Sequence, residues 1–225
     1  HYLPFRLKNM NIAVIDYKMS NMFSIKNALD VLGYNSQITS KSREILKADG
    51  AVLPGVGSFP DAMQHLHDLE LINVIKEFIS SGKPFMGICL GLQLLFSESE
   101  EFGRTNGLGV LEGKVESFAK HEGVQLVPHV GWNTIVKNGL REDEMLSSNP
   151  LKEIRSGEHF YFVHSFYVNP DNEGDILTTT EYHGLEFCSS VLRDNVFACQ
   201  FHPEKSGATG LEILADFFID STMAN

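Results

Sequence analysis

Apolar runs and helical apolar stripes alternate through the first half of the chain. Ile12 to Ile15 is a continuous hydrophobic run rich in β-branched residues, the pattern of a strand covered on both faces. Met22, Ile25, Ala28, Leu29 and Leu32 then fall on one helical face, with Ser20 as a candidate cap and Gly33 where a left-handed C-cap belongs. Asn35 to Thr39 reads as a second strand, Ser42 to Ala48 as a short helix, and Gly50 to Leu53 as a buried strand ending at Pro54-Gly55-Val56-Gly57. Leu71, Val74, Ile75, Phe78 and Ile79 mark an amphipathic helix stopped by Gly82, after which Pro84 to Ile88 returns as a strand. This alternation predicts a parallel sheet with helices on both faces and ligands bound beyond the carboxyl ends of its strands.

From Gly107 the texture changes. Lys114 to Phe118, Glu158 to Val168, Asp175 to Tyr182, Phe187 to Leu192 and Val196 to Phe201 read as strands, with Asp194-Asn195 as a hairpin turn between the last two. Leu211, Leu214, Ala215 and Phe218 form a closing amphipathic helix. No internal repeat or low-complexity linker separates the halves, so they are expected to share one sheet. The fold class is α/β, a mostly parallel central sheet flanked by helices with a strand-rich second half. Residues 10–225 read as one domain, and residues 1–9 as a cloning remnant or upstream extension before a natural start at Met10.

Composition narrows the function. At 225 residues, 43% hydrophobic and 21% charged, the chain suits one domain with a sizeable core. A formal net charge of −11 without clustered Lys or Arg argues against a nucleic-acid surface. No apolar run has membrane-spanning length and no signal peptide is recognised, so a cytoplasmic location is expected, with no membrane partner. Three cysteines suit a reducing compartment, and no Cys/His cluster has metal-ligand spacing, so neither a metal nor a cofactor is expected.

One of those cysteines stands at a sharp turn. Pro84 to Ile88 runs as a short strand into Cys89, after which Leu92, Leu95 and Phe96 recur at helical spacing, while Gly87 and Gly91 permit close backbone approach. This is the pattern of a nucleophile elbow with sulfur in place of oxygen. The thiol would sit at a helix N-terminus, which favours thiolate, and the Leu90 N–H would point toward an oxyanion. The bland reading is a small buried core residue. A base decides between them: Phe197 to Phe201 delivers His202-Pro203-Glu204, and strand alternation places His202 and Glu204 on one side, where the carboxylate can fix the imidazole tautomer. Alone, that pair would read as a surface histidine beside a solvated glutamate. With the elbow it completes a Cys–His–Glu constellation.

Gly87-Ile88-Cys89-Leu90-Gly91-Leu92-Gln93 followed by His202-Pro203-Glu204 resembles the class I glutamine amidotransferases, over Met10 to the C-terminus. Pro54-Gly55-Val56-Gly57-Ser58-Phe59, Pro128-His129-Val130-Gly131-Trp132-Asn133, Phe162-Val163-His164-Ser165 and His202 to Ser206 are similar to the motifs of glutaminase subunits of imidazole glycerol phosphate synthases. The resemblance implies hydrolysis of L-glutamine through a Cys89 thioester, with His202 as base and acid and Glu204 holding it. It implies oxyanion donors at Leu90 and at Val56 or Gly57, and substrate contacts from Gly55, Gln93, Ser165 and Phe166. Trp132, Lys205 and Asn21 match positions facing a (β/α)₈-barrel synthase (cyclase) subunit that consumes the ammonia. A lone Trp is otherwise more often core, and Gln93 would otherwise be solvated helix surface.

The loop Asp16-Tyr17-Lys18-Met19-Ser20-Asn21-Met22 departs from the family, which usually has glycine where Lys18 and Ser20 stand. Both substitutions restrict the backbone beside the oxyanion turn. The departure leaves open a paralogous glutaminase that feeds a different synthase in surface-sugar biosynthesis. A cysteine peptidase on the same sheet, or a non-catalytic scaffold subunit with a structural Cys89, are the readings from other classes.

Overall fold

The computed structural model describes residues 10–19, 22–139 and 149–220. Residues 1–9, Ser20 and Asn21 lie outside them, and with these the expectations for an upstream extension, a Ser20 cap and an Asn21 partner contact. The first half follows the alternation closely: β1 (Asn11–Ile15), α1 (Met22–Val31), β2 (Asn35–Thr39), α2 (Ser42–Lys47), β3 (Gly50–Leu53), α3 (Phe59–Asp68), α4 (Leu71–Ser80), β4 (Phe85–Ile88) and α5 (Leu90–Leu94). Helix α3 was not among the sequence expectations. Ser58 caps it by accepting from the Asp61 N–H, and Pro60 sits in its first turn.

Strands β1, β2, β3 and β4 pair in parallel in the order β2-β1-β3-β4. Their side chains alternate between two cores. Ile12, Val14, Val52, Met86 and Ile88 pack with Ile25 and Leu29 of α1, whereas Ala13, Ile15, Ala51, Leu53 and Phe85 pack with apolar residues of α3 and α4. Burial on both faces explains why these strands read as unbroken apolar runs.

The second half adds β5 (Glu98–Ser99), β6 (Thr105–Asn106), β7 (Gly113–Ser117), β8 (His129–Thr134), β9 (Val136–Lys137), β10 (His159–His164), β11 (Phe166–Pro170), β12 (Ile176–Tyr182), β13 (Leu185–Arg193), β14 (Val196–Cys199) and the closing helix α6 (Gly207–Asp220). β14 lies parallel to β4, and β13, β11 and β7 continue the sheet antiparallel from it. The two halves therefore share one sheet. Helix α6 lies on the same face as α1, its Ile213, Leu214, Phe217 and Phe218 joining the core of Ile25 and Leu29.

Two differences from the sequence reading bear on the site. Glu158 to Val168 is not one strand: it breaks at Ser165, leaving β10 paired with β8 in a separate two-stranded sheet and β11 in the main sheet. Helix α5 is five residues long and ends before Phe96. Beyond it, the Gly109 and Val110 amides bond back to the Phe96 and Leu95 carbonyls, a non-helical use of those acceptors.

Candidate active site

The elbow is a strained turn. Cys89 has φ 56° and ψ −110°, a backbone position that side chains other than glycine's rarely occupy, and its N–H is anchored to the Cys199 carbonyl at 2.8 Å. Close packing holds the strain in place, since a Cβ at Gly91 would collide with the Leu53 carbonyl oxygen. The sequence expectation of helical spacing out to Leu95 and Phe96 is corrected by the early stop of α5 at Leu94. What that short helix supplies is its first amides: Leu90, whose N–H lacks an intrahelical acceptor by position, follows Cys89 directly and lines the same cleft.

His202 and Glu204 meet, though not by strand alternation. β14 ends at Cys199, and His202 precedes a single 3₁₀ turn, Pro203–Lys205, that folds the carboxylate back onto the ring. Pro203 favours this start because it needs no N–H there. The imidazole Nδ1 lies 2.8 Å from Glu204 Oε1, and both side chains are buried. The His202 backbone is pinned from its N–H to the Tyr161 carbonyl at 2.9 Å and by Ser206 Oγ, which donates to its carbonyl at 2.7 Å. Burial works against a charged imidazole here, but the Cys89 sulfur and then Glu204 outweigh it and push the His202 pKa up to about 10. Nε2 has no formed hydrogen bond, and the sulfur is 3.7 Å from the Val163 carbonyl.

Beside the sulfur opens a cleft of about 300 Å³ lined by Val56, Gly57, Leu90, Gln93, Glu101 and the 163–166 segment among others. Ser165 and Phe166 therefore lie where a substrate would contact them. Gln93 is 5% exposed, which excludes solvated helix surface, and its Nε2 donates to the Phe166 carbonyl at 3.0 Å. Gly55 is not in the cleft. It packs behind it, where a Cβ would collide with the Tyr17 hydroxyl and Leu90. That hydroxyl donates to the Pro54 carbonyl at 2.7 Å and fixes the near end of the turn.

The far end of the turn is occupied. The Val56 N–H donates to the Met19 carbonyl at 2.8 Å, so it is not available to an oxyanion in this conformation. Lys18, just before Met19, stands at φ 69°, in the left-handed region that favours glycine, its N–H held by Asp16 Oδ1 at 2.9 Å. The Lys18–Met19 loop is thus the element that holds the candidate oxyanion peptide.

Glu101 was not foreseen. Its Oε2 accepts from the Phe59 N–H at 2.7 Å, and burial raises its pKa while that N–H works against the rise. In the sequence it is one of three carboxylates between Glu98 and Glu101, and nothing in such a run says which turns inward. Trp132 is 57% exposed, so it is not core. It lies edge-on to Tyr161 with ring centroids 6.2 Å apart, and Lys205 Nζ sits 5.9 Å from the centre of the same tyrosine. Trp132, Tyr161 and Lys205 therefore form one surface group directly outside His202. No helix among the described residues is long and apolar enough to cross a membrane.

A family model described as glutamine amidotransferase class-I matches residues 13–221. The chain is 46% identical over 206 residues to the imidazole glycerol phosphate synthase subunit HisH of Caldanaerobacter subterraneus subsp. tengcongensis, covering 92% of this chain and 96% of that one. It is 47% identical over 209 residues to the protein of the same name from Aquifex aeolicus, with 92% and 96% covered. Among solved structures, one described as a glutamine amidotransferase superposes with a TM-score of 0.69 at 19% identity, covering 94% of this chain and 98% of that chain. PurLQS from Thermotoga maritima gives the same TM-score and identity with 93% and 98% covered. These two speak for the fold alone. With the family model spanning nearly the whole chain and relatives at such identity over nine-tenths of it, the chain belongs to the class I glutamine amidotransferase family.

Proposed function

We propose that this chain is the glutamine-hydrolysing subunit of an imidazole glycerol phosphate synthase, passing ammonia to a (β/α)₈-barrel cyclase subunit. The observation that carries the chemistry is the buried Cys89–His202–Glu204 group beside a cleft small enough for one amino acid. The names of the relatives support the assignment to that synthase.

In this reading Cys89 loses its proton to His202 Nε2 and its sulfur attacks the amide carbon of glutamine. The oxyanion takes the Leu90 N–H and the peptide at Val56 or Gly57. His202 returns the proton to the departing nitrogen, ammonia leaves and a γ-glutamyl thioester remains. Water, deprotonated by His202, then attacks the thioester, and the tetrahedral intermediate expels the Cys89 sulfur to give glutamate. Glu204 holds the ring with Nδ1 protonated so that Nε2 faces the reaction.

Gln93, Ser165 and Phe166 hold the substrate, and Glu101, the carboxylate lining the cleft, takes the α-ammonium of glutamine. Trp132 and Lys205 face the partner. Binding there draws the Lys18–Met19 loop away from Val56 and frees its N–H. The test is glutamate release by the chain alone, with a barrel cyclase subunit, and with that subunit plus its acceptor substrate. Stimulation by the cyclase of histidine biosynthesis supports the reading. Stimulation only by another synthase reassigns the acceptor.

A further inference from the structure

Gln200 is fully buried, directly after β14, and its side chain belongs to none of the assignments above. Its Nε2 lies 3.6 Å from the Cys89 sulfur and its Oε1 lies 3.0 Å from Gln93 Nε2. An amide can in principle face either way, but here its neighbours decide.

The fixed point is the Phe166 carbonyl, which can only accept. It takes one hydrogen bond from His164 Nδ1 at 2.7 Å and one from Gln93 Nε2 at 3.0 Å. Gln93 therefore presents its NH₂ end, and its second hydrogen goes to Gln200 Oε1, which turns the Gln200 NH₂ end to the sulfur. The other donor to that carbonyl is oriented as well. His164, protonated on Nδ1, offers Nε2 to the Nδ1–H of His129 at 2.9 Å, and His129 Nε2 accepts from Asn133 Nδ2 at 3.2 Å. Burial keeps both rings neutral, lowering His164 to about 3 and His129 to about 4. Asn133 is itself oriented, its Oδ1 accepting from the Thr134 N–H at 2.8 Å and its Nδ2 donating to the Glu181 carbonyl at 2.9 Å. Reversing any member would set two donors or two acceptors face to face.

We propose that Gln200 is a further residue of the catalytic centre: a fixed N–H donor to the Cys89 sulfur that favours its ionised form, oriented by Gln93, whose own amide the Phe166 carbonyl fixes. The Val163 carbonyl, 3.7 Å from the sulfur, suits the thiol, which can donate to it, and opposes the thiolate. Once the proton passes to His202, Gln200 is the neighbour whose hydrogen bond gains from the charge. The inference rests on the glutaminase reading only in taking Cys89 as nucleophile.

The test uses no glutamine, so its outcome is separate from that of the reading. Iodoacetamide modification of the intact chain is followed against pH for the wild type, Gln200→Leu and Gln200→Glu. Glu keeps the acceptor for Gln93 and removes the donor to sulfur. Cys188 and Cys199 are buried with raised thiol pKa values, so a single adduct by intact mass marks a folded chain modified at Cys89. Both variants are expected to move the midpoint up by about one pH unit and to slow modification near neutrality about tenfold. An unchanged midpoint in a single-adduct variant overturns the proposal. If a variant unfolds and takes adducts on all its thiols, the wild type labelled with ¹⁵N-glutamine decides. A side-chain amide proton is expected to shift with the modification midpoint and to lose that response in Cys89→Ala, and its absence overturns the proposal equally.

Discussion

The Val56 N–H donates to the Met19 carbonyl at 2.8 Å, so the peptide expected to receive an oxyanion is instead bonded to the loop after β1. A missing oxyanion donor costs about 10²- to 10³-fold in turnover. The chain alone is therefore expected to release glutamate slowly and to gain about that factor with its partner. Gly57, at φ 103° and with Met19 Cε 2.8 Å from where a Cβ would sit, is where the turn would rotate. Gly57→Ala is expected to lose most of the partner's stimulation while leaving Cys89 alkylation unchanged, a contrast read from steady-state turnover and modification rates.

Glu101→Gln retains an acceptor for the Phe59 N–H but removes the charge in the cleft. It is expected to raise KM for glutamine by about 10- to 100-fold with little change in kcat, as for loss of one charge-assisted bond made equally in ground and transition states. Because burial raises the Glu101 pKa, wild-type KM is expected to rise as pH falls toward the carboxylate range, and the variant's KM to stay flat.

The neutral His129–His164 pair makes stability sensitive to acid. Both folded-state pKa values, about 4 and about 3, lie below the ordinary histidine value of 6.5, so the unfolded chain binds more protons in between. Stability is then full above pH 6.5 and falls as pH drops toward 4. Urea midpoints measured across that window are expected to decline, and the decline is expected to be shallower in His129→Phe, which cannot protonate.

Lys18 occupies the left-handed region with a side chain that disfavours it. Lys18→Gly is expected to leave stability unchanged or raise it by up to about 1 kcal/mol, the relieved strain offset by glycine's greater entropy when unfolded. Equilibrium denaturation checks this, and a loss above about 1 kcal/mol would contradict it.

The parallel half of the fold was legible because strands buried on both faces, such as Ala51 to Leu53, leave an unbroken apolar run. Ser58, Pro60 and Asp61 carried the start signals of α3, though its apolar stripe of Phe59, Ala62, Met63 and Leu66 was not read as a helix. The break at Ser165 had no such signal, since Phe160, Phe162 and His164 keep the alternation of a strand up to the residue where the chain changes sheets. Of the site, Cys89, His202 and Glu204 were readable from spacing and from the family motifs. Gln200 and Glu101 were not, because one looks like any residue after a buried strand and the other like any member of an acidic run. Only the fold turns their polar atoms toward the sulfur and the cleft.

The central claim is that Cys89 forms a thioester with glutamine and that the ammonia serves a synthase partner. Mass spectrometry of the chain quenched in acid during turnover of glutamine, with the cyclase subunit and its acceptor present, tests it most directly. A γ-glutamyl adduct on Cys89 that vanishes, together with glutamate release, in Cys89→Ala is the expected result. Full glutamate release by that variant would contradict the account.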